Sequence, residues 1–478
     1  MLDTSSATSH SAELALTALS SILKERACQK LKRLFLYKCF ENVKKNESVS
    51  QSINLAHYIL NNAYHNIQLD HENSLTSILK ELDEKFSIVE SLITDMEVHQ
   101  ARVKKELAGH KDYSRSNNAI RDKLCVGKYS YIINFNNRLV FLEFMINYPY
   151  YEMSLTQKQI ERIWNLYVID ALFEADQSFL YRWLARREVS RFSDPIFMIN
   201  KNEIPFFFNE ILGNQAKFDY KHITQDGFSC FDSYFRAINQ LEEKFRVGKS
   251  GNFKIIDLDY VGKKQLWDMF LVCMNKETLD SIVNLIVECH QKVDDSLEEK
   301  KPLLWEKLVS DCLNLMKEGN TQKKNSLIDR GVLLLMRFFD KFEGKNETET
   351  HKSPEHYRYM HQINMVVVLK PNNVTKTVQV GYMQTLGTLR RKIGEAFGLN
   401  VNEFKLSARG SFIDRDEDEM QINEYGYAGP FVVQKIQPPT GNQGTPFHPR
   451  SIVASNPEYF DLLFSLLSSD DSGKFQRK

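Results

Sequence analysis

The chain has 478 residues, 42% hydrophobic and 26% charged, with Lys+Arg and Asp+Glu balanced at 62 each. That length predicts roughly two to four domains, and the composition supplies material for buried cores. The charge balance gives no electrostatic pull toward nucleic acid, an anionic membrane or an acidic substrate.

Seven cysteines stand at positions 28, 39, 125, 230, 273, 289 and 312, with no C-x-x-C pair and no zinc spacing. An odd, scattered set reads as reduced thiols of a cytoplasmic protein, with the nucleus equally reducing. The N-terminus is polar and lacks the apolar core of a signal peptide. No apolar run reaches the ~18 residues that a membrane span needs.

The first 343 residues read as helix after helix. Leu75, Ile78, Leu79, Leu82, Phe86, Val89, Ile93 and Met96 form one apolar stripe of helical period. Ser154-x-x-Gln157 matches a capping box, in which a hydroxyl and an amide satisfy orphan N–H groups reciprocally. Behind it Ile160, Ile163, Trp164, Tyr167, Ala171 and Leu172 continue an apolar face. Leu266, Met269, Phe270 and Cys273 begin a further helix, and Ile282, Leu285, Ile286 and Cys289 another. So many short amphipathic helices cannot share one core, whereas stacked helix pairs bury each apolar face against the next. The expected class is mainly α, in divergent HEAT/armadillo-like repeats; an irregular bundle is the alternative, because no clean period appears.

The expected layout is an N-terminal helical block over 1–108, a linker over 109–127 and helical repeats over 128–343. A charged linker follows at 344–360, then a different pattern over 361–436. There Ile363, Met365, Val367 and Leu369 alternate with Asn364, Val366, Val368 and Lys370, as in a strand. Pro371-Asn372-Asn373 supplies a turn, and Val374, Lys376, Val378 and Val380 suit a partner strand. Thr385 can cap a helix with Leu386, Leu389, Ile393, Ala396 and Phe397 on one face, and Gly398 suits its left-handed end. Phe404–Ala408 and Phe431–Ile436 complete the strands. Hairpin, helix, strand and strand imply an inserted α+β unit, a mixed sheet over one helix, as in the ubiquitin-like β-grasp. A Pro/Gly linker at 437–450 leads to a further helix over 451–478, an ending that suggests a piece of a longer protein.

Gln384–Leu399 with Phe404–Gly410 resembles ubiquitin-like domains. Upstream, Arg138–Met145, Gln159–Trp164, Gly227–Asn239 and Asp257–Trp267 resemble the non-catalytic half of the fat-facets-type ubiquitin-specific proteases, collinearly from about residue 128 to 470. Residues 1–108 share only helical character with it. The resemblance implies helical repeats ahead of an internal ubiquitin-like domain in a cysteine-type deubiquitinase. Its implied partners are ubiquitinated substrates or the family's catalytic domain.

The chemistry of such a protease is missing from the sequence. A thiolate must be activated by a histidine that a third group orients. The family's cysteine box reads roughly N-x-G-x-x-C-Y-x-N-S, and no cysteine here has that context. Cys125 lies beside Gly127 without the Asn and Tyr, and Glu355-His356-Tyr357 lacks the glycine of the G-H-Y histidine box. No catalytic residue, cofactor or metal site is assigned, and the chain alone is expected to be inactive. Cys289-His290 are neighbours about 100° apart on a helix and cannot share a metal. Asp414, Asp416, Glu417, Asp418 and Glu419 lack the glycine and bidentate glutamate of a calcium loop. Phe206-Phe207-Phe208 either packs between repeats or is exposed for a partner.

The candidate interaction surface lies in the ubiquitin-like region. Ubiquitin receptors bury an apolar strand residue, and the aligned position here is Ser407, so mimicry toward them is not expected. The last strand runs into Gln437-Pro438-Pro439 rather than Gly-Gly, which argues against conjugation. Arg390, Arg391, Lys392 and Arg409 offer a basic surface instead, with plain solvated charge as the alternative. The function expected is a scaffold and regulatory region of a deubiquitinating cysteine protease, the alternative being a stand-alone adaptor.

Overall fold

A computed structural model describes residues 29–66, 73–126, 129–148, 153–185, 198–247, 253–342, 362–371, 373–381, 384–399, 401, 404–408, 411–413, 418, 420–422, 430–435 and 449–467. They divide between two compact units: Met1–Leu241 with Val272–Ser281, and Glu242–Leu271 with Ile282–Lys478.

The first unit is helical. It opens with α1 (Gln29–Lys45), α2 (Val49–Asn66), α3 (Asn73–Phe86) and α4 (Ile88–Leu107). The apolar stripe read as one helix is two, because Ser87 takes a left-handed conformation (φ 46°) between α3 and α4. Asp83 accepts the freed Ile88 N–H at 2.9 Å, and Leu82, Phe86, Val89, Ile93 and Met96 stay buried on both sides of the break. α5 (Asn118–Lys123) and a two-residue hairpin, β1 (Cys125–Val126) and β2 (Tyr129–Ser130), lead into α6 (Tyr131–Ile146). α6 lies on α2 and α4, filling the gap with Phe135, Leu139, Phe141 and Leu142.

α7 (Gln157–Trp164) starts two residues later than the sequence suggests. Thr156 accepts from Gln159 N, and the Gln159 amide oxygen accepts from Thr156 N at 3.1 Å, closing the capping box there. Met153 and Leu155 are buried ahead of it, which leaves Ser154 outside the helix. α7 widens into a π turn at Asn165–Ile169, and the helical turn Ile204–Phe206 does the same at Phe207–Leu212. Phe207 and Phe208 are fully buried: Phe207 meets Trp164 at 5.6 Å and Tyr234 at 4.7 Å, and Phe208 meets Phe231 at 5.3 Å. The phenylalanine run therefore packs inside, each buried ring contributing about 1.5–3 kcal/mol. α8 (Glu174–Ala185) packs on α9 (Gln225–Leu241).

In the second unit a hairpin of β3 (Phe245–Val247) and β4 (Phe253–Ile255) is tied to the end of a helix by Ile255 N to Lys292 O at 2.7 Å. The helices are α10 (Lys263–Val272), α11 (Lys276–Gln291), α12 (Lys301–Gln322) and α13 (Asn325–Phe342), the last two forming a close pair. Gly319 and Gly331 permit that approach: a Cβ on Gly331 would stand 2.6 Å from Met316 Cγ and 2.9 Å from the Cys312 carbonyl. The two ends of α10 and α11 are assigned to different units at Leu271/Val272 and Ser281/Ile282.

A five-stranded sheet follows. Its order is β6 (Val374–Gly381), β5 (Gln362–Lys370), β9 (Phe431–Lys435), β7 (Phe404–Ala408), β8 (Ser411–Ile413). β5 and β9 are parallel, and the other neighbours are antiparallel. α14 (Leu386–Phe397) covers one face, with Leu386, Leu389 and Ile393 against Met365, Val367, Val380, Leu406, Phe431 and Val433. Thr385 caps α14, accepting from Thr388 N at 3.3 Å, and Gly398 closes it at φ 67°. α15 (Pro449–Ala454) and α16 (Pro457–Leu467) come last and pack on α12.

Candidate functional site

Of the five residues expected to form one interaction surface, the four that the structure describes do not share one. Arg390 is on the buried stripe of α14 and is 3% exposed. Its Nε donates to Asp418 Oδ1 and Oδ2 at 3.0 and 3.1 Å, and its Nη2 to the Ile413 carbonyl at 3.1 Å. It therefore clamps the segment after β8 onto the helix and is withdrawn from any docking role. Asp418 also accepts the Gly387 N–H through its carbonyl at 2.8 Å, so this member of the acidic run is structural. Arg391 is exposed on α14, and Lys392 Nζ donates to the Gln379 carbonyl of β6 at 2.8 Å. Ser407 alternates with the buried Phe404, Leu406 and Ala408 and so lies on the opposite face of the sheet from α14. Its hydroxyl donates to the Val432 carbonyl at 3.3 Å. Arg409 lies outside the described residues.

The buried thiols are poorly suited to nucleophilic work. Cys39, Cys230, Cys273, Cys289 and Cys312 are buried. Burial pushes the Cys39 thiol up to about 12 and the Cys230 and Cys312 thiols well above their ordinary value. An activated cysteine requires the reverse shift. Cys125 is exposed on β1. Cys28 and Glu355-His356-Tyr357 lie outside the described residues. His290, beside Cys289, is held with Nδ1 2.7 Å from the Ile286 carbonyl, and burial draws it down to about 4. Among the described residues no group of His, Cys, Asp and Glu could hold a metal, and no helix is long and apolar enough to cross a membrane.

The strongest buried polar cluster is in the first unit and went unseen in the sequence. Arg138 on α6 donates to Asp95 on α4 at 2.6 Å and to the Asn134 carbonyl at 2.9 Å, while Ser50 on α2 bonds Asn134. A second set joins Arg121 on α5 and Tyr131 on α6 to Asp176 on α8, at 2.9 and 2.7 Å. Between them His99 stacks on Tyr131 at 6.0 Å, and its Nε2 has no hydrogen-bond partner. Burial, with Arg138 and Arg102 nearby, pulls His99 down to about 3. Burial also raises the Asp95 and Asp176 carboxyls, offset only in part by Arg138 at Asp95 and by Tyr131 and Arg121 at Asp176. The signal in the sequence was two acids, Asp95 and Asp176, set among apolar helical positions. Five helices are pinned at fixed register by these bonds, which is a framework role.

Comparison with known proteins places the chain. Residues 2–239 match the family described as the UBP24/USP9X/USP9Y ARM repeat. The likeness thus begins well upstream of residue 128 and takes in the helical block over 1–108. Human ubiquitin carboxyl-terminal hydrolase 9Y is 19% identical over 369 residues, covering 73% of this chain and 14% of that protein. The Drosophila melanogaster probable ubiquitin carboxyl-terminal hydrolase FAF is 24% identical over 244 residues, 51% of this chain and 8% of its own. Human ubiquitin carboxyl-terminal hydrolase 24 is 19% identical over 408 residues, 77% and 15% respectively. The chain spans only a small fraction of these relatives.

Proposed function

The chain belongs, through residues 2–239, to the family of the UBP24/USP9X/USP9Y ARM repeat, and on that premise we propose that it is a scaffold and regulatory region of a deubiquitinating cysteine protease. It acts through protein–protein contact and a ubiquitin-like unit and cleaves no bond itself. The observation that carries this reading is collinearity: an armadillo-family helical region precedes a sheet whose second strand is followed by its one helix. The strand order, with the first and last strands parallel and central, supports a β-grasp for Gln362–Lys435. The buried, protonated thiols support the non-catalytic assignment. The parent's activity, on this reading, is thiol-dependent hydrolysis of ubiquitin from substrates. The partners are ubiquitinated substrates or the family's catalytic domain, in a reducing compartment such as the cytoplasm.

Incubating the chain with ubiquitin–rhodamine tests the reading, alone and with the catalytic domain of a fat-facets-type relative. The expected result is no turnover by the chain alone, and altered kcat/KM of the catalytic domain when the chain is added. Turnover by the chain alone that vanishes on substituting one cysteine overturns it, as does a catalytic domain indifferent to the chain.

A further inference from the structure

α16 keeps two phenylalanine rings outside. Its start is well specified: Asn456 Oδ1 accepts the Glu458 N–H at 3.1 Å, Pro457 takes the first position, and Glu458 puts negative charge in the first turn. A helix of 11 residues does not hold by itself in water, so α16 depends on packing against α12 and α15. Tyr459, Leu462 and Leu466 lie along one side and are half-buried. Phe460 and Phe464 lie on the other side, 61% and 63% exposed, with their rings stacked at 6.3 Å. Among the described phenylalanines none is more exposed. Leu463, half-buried, joins them three residues after Phe460. An apolar ridge at i, i+3 and i+4 thus stands on a helix that is already formed.

The charge beside this ridge has one sign. Glu458 and Asp461 are exposed, and α16 contains no Lys, Arg or His, in a chain whose acids and bases balance. At about 100° per residue, Asp461 stands about 60° round from Phe464, and Glu458 about 60° further on. The ridge therefore has an acidic border along one flank, while its other flank turns toward the half-buried Tyr459.

We propose that α16 is a docking helix that inserts Phe460, Leu463 and Phe464 into an apolar groove of a partner protein whose rim carries Lys or Arg. α16 supplies the ligand's half of helix-in-groove recognition. It is ordered before it binds, which removes that cost from association. Charge complementarity selects the basic rim, because an acidic one would face Asp461 and Glu458 across a desolvated border. The same charges argue against a second copy of α16 as the occupant, since acids would meet acids. α16 lies outside the matched residues 2–239, and the inference holds whether or not the chain serves a protease.

The full chain is titrated into two fluorescein-tagged designed helical hairpins. Both have a groove lined by Leu and Ala between their helices; one carries Lys on its rim and the other Glu. The Lys-rimmed hairpin is expected to bind, to shift the Leu463 methyl signals of leucine-labelled chain, and to weaken as salt is raised. Phe460→Ala and Phe464→Ala are each expected to weaken binding about tenfold. Asp461→Lys is expected to weaken it about threefold and to move the preference toward the Glu-rimmed hairpin. That variant alters only an exposed side chain, so it reads the proposal even where a ring replacement disturbs α16. Leu34→Ala, at a 67% exposed apolar position on α1, is expected to leave binding unchanged. Equal binding of the two hairpins, no binding of the Lys-rimmed one, or wild-type affinity in both alanine variants overturns the proposal. So does an equal loss in Leu34→Ala, or self-association of the chain that Phe460→Ala abolishes.

Discussion

Arg138 on α6 and Asp95 on α4 face each other with Nε 2.6 Å from Oδ2, and neither side chain is more than 5% exposed. Helices distant in sequence are joined by this pair, and the Arg138 guanidinium reaches on to Asn134. Taking two charges out of water is costly, so the pair is worth little against an apolar replacement but much against the loss of one partner. Arg138→Met leaves the Asp95 carboxylate buried without its cation and is expected to destabilise the first unit by about 3–5 kcal/mol. Adding Asp95→Leu should recover most of that loss. Denaturant titration followed by a probe in the first unit checks both; a double variant no better than the single one refutes the account.

Acid should weaken the helical units through two desolvated histidines, the buried His99 and the half-buried His290. His99 is drawn down to about 3 and His290 to about 4, while the unfolded imidazoles titrate near 6.5. Below that pH the unfolded chain binds protons that the folded chain refuses, so stability falls as pH drops from about 6.5 toward those folded values. By pH 5 each histidine costs about 2 kcal/mol. The raised Asp95 and Asp176 act in the opposite direction, because the folded state takes up their protons first. His99→Phe keeps a ring on Tyr131 and removes the titrating group. The pH slope of its unfolding midpoint between pH 7 and 5 should shrink by about one proton; an unchanged slope refutes the assignment.

Gly331 sets how closely α12 and α13 approach. Any side chain there meets Met316 and the Cys312 carbonyl, and a backbone atom cannot swing aside. Gly331→Ala is therefore expected to cost about 1–3 kcal/mol, despite the gain in helix propensity of about 1 kcal/mol that alanine brings. Gly398→Ala has open space around it and meets only the left-handed backbone strain, costing about 1 kcal/mol. Thermal unfolding of the two variants ranks them, and equal midpoints would remove the steric explanation.

Local rules were legible where one period governs a segment. The alternation of β5 and the stripe and both ends of α14 follow from side-chain spacing, Thr385 and Gly398 alone. Features that a period cannot express were lost. Ser87 redirects the chain without interrupting the apolar stripe, because Ile88 and Val89 bury as the helix would have predicted. Ser154-x-x-Gln157 and Thr156-x-x-Gln159 match the same box, and the burial of Leu155 decides between them. β8 is three residues long, too short to alternate visibly, and the β3–β4 hairpin is equally brief. Arg390 was legible and was misjudged by its charge: it stands four residues after Leu386 and three before Ile393, on the buried stripe.

That position gives Arg390 a role that can be separated from its neighbour. Three bonds run from its guanidinium to Asp418 and the Ile413 carbonyl, holding β8 and Asp418 against α14. Asp418 is partly exposed, so its charge is eased by water when the arginine is lost, but the Ile413 carbonyl and the arginine's place in the core are not compensated. Arg390→Met, which keeps the apolar stem, is expected to cost the sheet unit about 2–3 kcal/mol. Amide exchange should rise first at residues 411–413 and 420–422, while β5 and β6 stay protected. Arg391→Ala, one residue on and exposed, should stay within about 0.5 kcal/mol of the parent chain. If exchange in Arg390→Met rises equally over β5 and β6, the arginine supports the whole sheet rather than clamping one edge.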